Sequence, residues 1–215
     1  SVAAFTDDFF KDSGTSSLKQ LDQYTPSLKI TPVTDTRSTS IRIRGIGSIG
    51  TNAGIDPSVG LFVDGVYQGR AGMSIADLAD IQRVEVLRGP QGTLYGKNTA
   101  AGALNILSKA PADDFESSIE LVIGNERAQE VRGMVNLPLG DSGHATRLSG
   151  YHVTNDGFDK NTFTGKRIND TDRQGIRSRT LFELEDYGDL MISLDYANKD
   201  RKSTRLNSSH LVISY

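Results

Sequence analysis

The chain contains no cysteine, so disulfides and thiolate metal sites are excluded and the redox compartment stays open. Histidine is scarce. The three present, His144, His152 and His210, lie far apart, and no zinc-ligand or catalytic spacing emerges from them. No serine, Ser149 included, sits in a nucleophile elbow. No apolar run approaches the roughly 20 residues of a membrane helix, and Ser1 does not open a signal peptide with a basic start and an apolar middle. Neither sign of charge is in excess: 27 acidic against 24 basic side chains give a net charge of −3, which does not support a basic groove for nucleic acid. With 36% hydrophobic residues in 215, the chain is not a disordered tail, and it is long enough for one or two domains with a buried core.

Glycine is what the sequence has in quantity, 22 in all. From Val84 to Ile106 it reads VEVLRGPQGTLYGKNTAAGALNI, with Gly89, Pro90, Gly92, Gly96 and Gly102 set between two strand-like runs. Glycine serves where φ must be positive or where two backbones come close, so this spacing predicts tightly folded, packed turns. Two shorter signals accompany it: IRIRG ending at Gly45, and FVDG, whose Asp64-Gly65 is a strong hairpin dipeptide. Strands are expected at Ser40 to Arg44, Leu61 to Gln68 (folded about Asp64-Gly65), Arg83 to Leu87 and Ala103 to Ser108. Ser17 with Gln20 reads as a capping box opening a helix that stops before Pro26 and turns Leu18 and Leu21 inward. Ser74 with Asp77 opens a second short helix through about Asp80, aiming Ile75 and Leu78 inward.

After Pro111 the period changes to two. Glu116 to Gly124, Glu130 to Leu139, Ala145 to Thr154, Arg177 to Glu185 and Leu190 to Asn198 each read as a strand of about ten residues, the length of a membrane-spanning β-strand. Leu190, Ile192, Leu194 and Tyr196 fall on one face, and Met191, Ser193, Asp195 and Ala197 on the other; Val131, Val135, Leu137 and Leu139 alternate likewise. Connections alternate between about four residues, at Gly140 to Gly143 and Asp186 to Asp189, and about twenty polar ones from Asn155 to Gly175, as in an outer-membrane barrel. A soluble antiparallel sandwich alternates equally well, so the strands alone leave both architectures open.

Together the glycine-rich segment, IRIRG and FVDG resemble the plug domain of TonB-dependent outer-membrane receptors, over about Ser1 to Pro111. The resemblance tips the later strands to the barrel. It implies an α+β plug domain, a small mixed sheet with short helices, over residues 1–111. The first, incomplete antiparallel strands of a transmembrane β-barrel would follow over 112–201. Five strands cannot close a barrel, and most of it is expected outside this chain. Residues 202–215, KSTRLNSSHLVISY, have the look of translated adapter sequence and are expected to be a non-native tail.

The implied function is TonB-dependent import of a scarce ligand, most often a ferric siderophore, across the outer membrane of a Gram-negative bacterium. The plug gates the barrel and faces the periplasm. TonB would act through an N-terminal box ahead of Ser1. The resemblance makes Arg44 and Arg88 the lock that holds the plug to barrel glutamates, a role suited to a permanently charged planar fork; as plain residues they are strand-end surface charges. Candidate ligand contacts on apical loops are Arg37, the loop from Ile46 to Pro57, Tyr67, Gln68, Arg70, Tyr95 and Asn98, where arginine and tyrosine can meet an anionic iron chelate; ordinary packing is the alternative for each. Turn positions are Gly45, Asp64, Gly65, Gly89, Pro90, Gly96 and Gly102. No cofactor, resident metal or catalytic residue is expected, and outer-membrane lipid is the remaining partner.

Two other readings stay open. The same plug could serve vitamin B12, a carbohydrate, or signalling without transport. Gly45 to Gly50 matches G-x-G-x-x-G with Asp64 about twenty residues on, which would make a dinucleotide-binding oxidoreductase. That chemistry needs a helix starting in the motif, and TNAGIDP from Thr51 to Pro57 cannot supply one. Glu85 is placed to pair with Arg83 or Arg88, and Asn169, Asp170 and Asp172 read as a solvated loop rather than a cation site.

Overall fold

A computed structural model describes residues 2–15, 17–32, 39–48, 56–69, 79–140, 143–157, 159–160, 162–163, 167–168, 170–184, 188–201 and 204–214. The chain divides into two compact units, Ser1–Lys109 and Ala110–Tyr215.

The first unit is built on a five-stranded sheet of order β1-β6-β7-β4-β5, with β1 at Val2–Thr6, β4 at Val59–Val63, β5 at Val66–Tyr67, β6 at Ile81–Arg88 and β7 at Gly102–Ser108. β4 and β7 run parallel and the other pairs antiparallel, so the sheet is mixed, as expected. Alternation puts Phe5, Leu61, Val84, Val86, Leu104 and Ile106 into one core. Helix α1 (Asp7–Ser13) and a 3₁₀ turn at Leu18–Gln23 contribute Phe10, Leu18 and Leu21 to it. A separate hairpin, β2 (Leu28–Pro32) with β3 (Thr39–Ile43), adds Leu28, Ile30, Ile41 and Ile43. Leu18 and Leu21 are wholly buried, as the capping signal required, and Gln20 Oε1 accepts from the Ser17 N–H at 3.1 Å.

Several elements escape the sequence reading. β1 and α1 adjoin without a turn signal, β2 pairs along its whole length with β3, and one helical turn, α2 at Gly92–Tyr95, sits inside the glycine-rich segment. The first predicted strand ends one residue early, at Ile43, because Arg44 is taken into a turn. The helix expected from Ser74 lies outside the described residues apart from a turn at residues 79–80.

The second unit is a meander in which sequence neighbours pair antiparallel, in the order β15-β14-β13-β10-β9-β8. Its strands are β8 (Glu116–Ile123), β9 (Gln129–Pro138), β10 (Ala145–Asn155), β13 (Thr171–Leu184), β14 (Gly188–Arg201) and β15 (Thr204–Ser214), with a two-residue ribbon of β11 (Asp159–Lys160) and β12 (Arg167–Ile168) in the long connection. β13 begins at Thr171, not Arg177, so the expected twenty-residue loop is shorter: β10 extends to Asn155 and pairs it with Thr171. β15 falls within the stretch expected to be non-native and pairs with β14 from Met191 to Arg201.

Burial in this unit is inverted relative to the first. The registers place Glu120, Arg132, Arg147, Arg177, Arg179 and Asp195 on one face. Ile119, Leu121, Val131, Ile176, Leu194 and Tyr196 lie on the other and are 74%, 66%, 41%, 57%, 50% and 39% exposed. Asn136, Arg147, Ser149 and Ser193, all on the polar face, are buried instead. A water-soluble sheet buries its apolar face; here that face is the exposed one. No helix among the described residues is long and apolar enough to cross a membrane.

Candidate functional site

The glycine-marked turns of the first unit are tight two-residue reversals. Phe62 pairs with Tyr67 and Val63 with Val66 across Asp64 (φ 48°) and Gly65 (φ 81°), both left-handed, which is the type I′ geometry that Asp-Gly favours. The Asp64 carboxylate accepts from the Ser108 N–H at 2.8 Å, and its own N–H donates to the Ile106 carbonyl at 2.9 Å, so the turn is fastened to β7. Arg44 (φ 54°) and Gly45 (φ 79°) form the same reversal, closed by hydrogen bonds of 3.0 Å in both directions between Ile43 and Ile46.

Gly102 answers a different need. A Cβ there would stand 2.3 Å from the Leu87 carbonyl oxygen and 2.8 Å from Ile43 Cδ1, at φ +151°. Since Gly102 is the register partner of Arg88, and Ile43 adjoins Arg44, the two arginine-bearing strand ends meet at this glycine. Arg44 is exposed and Arg88 half-buried. Between Gly89 and Ala101 the chain makes a self-bonded excursion: Gly89 N–H to Ala101 O at 3.1 Å, Gln91 N–H to Thr99 O at 3.0 Å, and Thr99 Oγ1 to Gly96 O at 2.7 Å. Gly89 and Gly96 hold left-handed φ values of 93° and 74°, and Pro90 follows the first bend.

Three predicted ligand residues come together here. Asn98 Nδ2 donates to the Tyr67 hydroxyl at 3.0 Å, and the rings of Tyr67 and Tyr95 pack on Phe62 at 5.6 and 4.7 Å between centroids. Gln68 stays local, donating its N–H to Leu61 O at 2.8 Å and its amide to Val66 O. Burial, reinforced by the charge of Glu85, raises the Tyr95 phenol above its ordinary range and keeps it protonated. Arg37, Arg70 and residues 49–55 of the apical loop lie outside the described residues. The base of that loop is tied by Ser48, whose hydroxyl donates to Asp56 O at 3.0 Å and accepts from the Ser58 N–H at 3.1 Å.

The G-x-G-x-x-G reading fails on this geometry. Gly45 belongs to a hairpin, and a Cβ on Gly47 would meet the Ile41 carbonyl oxygen at 2.3 Å, so the chain folds back on its own strand rather than opening a phosphate cradle. Asp64, the would-be ribose ligand, is engaged by the Ser108 amide. Glu85 does pair with Arg83, at 2.6 Å, and accepts from Asn105 Nδ2 at 3.0 Å. Burial pulls its carboxyl upward, but these two partners outweigh that and hold it below the usual range. Asp172 meets His152 at 3.3 Å, and no metal-holding group of acids and histidines occurs among the described residues.

Residues 1–103 match the model of the TonB-dependent receptor plug domain. The first unit belongs to that family. The pesticin receptor of Yersinia pestis is 38% identical over 109 residues, which cover 51% of this chain and 16% of that protein. The ferrioxamine B receptor of Salmonella typhimurium is 30% identical over 154 residues, covering 70% and 21%. The crystal structure of the ferric yersiniabactin uptake receptor from Yersinia pestis superposes with a TM-score of 0.84 at 25% identity, over 93% of this chain and 31% of that one. The chain thus spans between 16% and 21% of the length of these curated relatives. It is a fragment: a plug domain followed by the first antiparallel strands of a barrel.

The sequence reading missed three polar fixtures: the Asp7–Lys109 ion pair, the Glu85–Asn105 contact, and Asn136, which is wholly buried. Only Asn136 left a signal, a polar residue between Val135 and Leu137 on the polar parity of its strand.

Proposed function

We propose that the receptor of which this chain is part imports a ferric siderophore across the outer membrane of a Gram-negative bacterium, driven by TonB and gated by the plug. The observation that carries this reading is the pairing of a plug fold with strands whose apolar face is exposed and whose polar face holds the buried Asn136, Arg147, Ser149 and Ser193. Apolar residues outward and charged residues toward a lumen are what a lipid-embedded barrel requires. The relatives named for ferrioxamine B and ferric yersiniabactin supply the ligand class.

In this account the plug domain covers residues 1–111, the barrel wall begins at 112–201, and 202–215 is a non-native tail. Arg44 and Arg88 are the plug's lock: one caps a type I′ turn, the other ends β6, and the Gly102 contact brings both strand ends to one place. The ligand rests on the apical loops. Tyr67 and Asn98, hydrogen-bonded together, shape that rim with Tyr95, while Arg37, Gln68 and Arg70 contribute polar contacts. An outer membrane holds no nucleotide supply, so opening depends on TonB engaging a segment ahead of Ser1 and favouring one plug state over another.

The test is uptake of radiolabelled ferric siderophores by cells carrying the full receptor, with and without TonB. TonB-dependent accumulation of iron supports the reading. Accumulation of cobalamin or a carbohydrate instead replaces the ligand class, and binding without accumulation makes the protein a sensor.

A further inference from the structure

The covalent link between the two units is pinned at both ends. Lys109, the last residue of the first unit, donates from Nζ to Asp7 Oδ2 at 2.5 Å, and its N–H donates to the Asp80 carbonyl at 3.1 Å. Three residues later Asn136 on β9 takes hold of the strap. Its Oδ1 accepts from the Ala112 N–H at 3.0 Å, and its Nδ2 donates to the carbonyls of Ala112 and Asp114, both at 2.6 Å. Asn136 is 0% exposed. Its register partners, Glu116 on β8 and Arg147 on β10, are joined by an ion pair of 2.9 Å that spans β9 at this row. Ala110 and Pro111 alone separate the pins, and proline fixes φ.

The two pins differ in kind. Asp7 is shared between Lys109 and Lys11, and the three side chains are 27%, 30% and 67% exposed, so water and salt screen their attraction. The Asn136 bonds are neutral and the amide that makes them is wholly buried, so salt screens them little; losing the side chain removes the partner of one N–H and two carbonyls on the half-exposed strap. The geometry points to Asn136 as a positioning residue for transport: it anchors the strap Ala112–Asp114 to the barrel wall, while the Asp7–Lys109 contact is the part that releases. When the plug is displaced, the link yields on the plug side and the strap stays on β9. This rests on the importer reading above.

The intact receptor tests it by amide hydrogen exchange together with uptake. Asn136→Ala should speed exchange at the Ala112 amide by about 10-fold, the loss of the hydrogen bond that protects it. It should lower the maximal uptake rate while leaving ferric-siderophore binding unchanged. Asp7→Asn should speed exchange at Lys109 and leave Ala112 protected. Should Asn136→Ala fail to assemble, the wild type decides: raising salt from low to molar concentration should loosen Lys109 and not Ala112. The inference is overturned if Ala112 exchange in Asn136→Ala stays within threefold of wild type, if salt loosens Ala112 first, or if uptake is unaffected. A wild type with the expected exchange pattern but no siderophore uptake sinks the importer reading and the transport role with it, and supports the anchor alone.

Discussion

Gly102 offers the sharpest test of how the glycine-rich segment works, because two neighbouring demands fall on one residue. Its φ of +151° strains any L side chain, and an added Cβ would press to 2.3 Å against the Leu87 carbonyl and 2.8 Å against Ile43 Cδ1. The carbonyl is a backbone group of a central strand and cannot move aside. The strained backbone costs about 1–3 kcal/mol, and overpacking adds about 1–3 kcal/mol, so Gly102→Ala should destabilise the plug by about 2–6 kcal/mol. Gly65 is the control: φ is +81°, but nothing lies within 4 Å of a Cβ, so Gly65→Ala should cost about 1–2 kcal/mol from backbone strain alone. Gly92→Ala, with no strained φ and open space in α2, should change stability by less than about 1 kcal/mol. The assay is urea unfolding of residues 1–111, the unit with its own core. A slope near 1–1.5 kcal/mol per molar urea turns the Gly102 loss into a midpoint shift of about 1.3 M or more. A Gly102→Ala plug no less stable than Gly65→Ala would refute the argument that close approach, rather than turn geometry alone, demands glycine here.

Other expectations follow from the same structure. The Asp7 carboxyl is raised by burial but lowered more by Lys109 and Lys11, so its folded value lies below its unfolded one; the stability it contributes is present at neutral pH and lost as acid takes the pH below about 4. Acid titration of plug stability should therefore flatten in Asp7→Asn, and an unchanged acid limb would remove the assignment. Leu194→Arg, on the exposed apolar face of β14, should cost about 2–4 kcal/mol of barrel stability if it falls near the bilayer midplane, whereas Ser118→Arg on the polar face should assemble normally; equal damage from both would contradict the two-faced wall. Replacing Arg44 and Arg88 together by alanine should loosen the plug and raise leakage of small solutes through the receptor. Unchanged permeability would end their role as a lock. Residues 1–111 should be soluble alone, and extending them through Lys199 should cause aggregation through unpaired strand edges such as β8.

The turns were legible because their chemistry is local. Asp64-Gly65 sets a type I′ reversal within two residues, and Ser17 with Gln20 sets the position of Leu18 and Leu21 without help from distant chain. Alternation along β14 was legible for the same reason. What was not legible depends on partners far away in sequence. β1 carries only five residues and is a strand because Val2 to Thr6 lie against Leu87 to Arg83. The first six residues of β13, TDRQGI, look like loop because polar residues fall on both faces, Thr171 and Arg173 on one and Asp172 and Gln174 on the other, and their pairing comes from β10. Of the candidate site, the sequence gathered Tyr67, Tyr95 and Asn98 as apical residues, but the Asn98–Tyr67 bond spans 31 positions of chain, and the two tyrosines share Phe62, which no local signal joins to Tyr95. Asn136 was missed because nothing in a strand pattern says what a buried amide will grip.

The central claim is that the later strands form a wall with lipid on one side and a polar lumen on the other. This chain has no cysteine, and in a full receptor kept free of any other cysteine, single cysteines can be placed one at a time from Leu190 to Ala197 and labelled with an environment-sensitive fluorophore in lipid bilayers. The account predicts that positions 190, 192, 194 and 196 are quenched by lipid-borne quenchers, and that 191, 193, 195 and 197 are shielded from them. Quenching that does not alternate, or labels at every position that behave as in a water-soluble sheet, would contradict it.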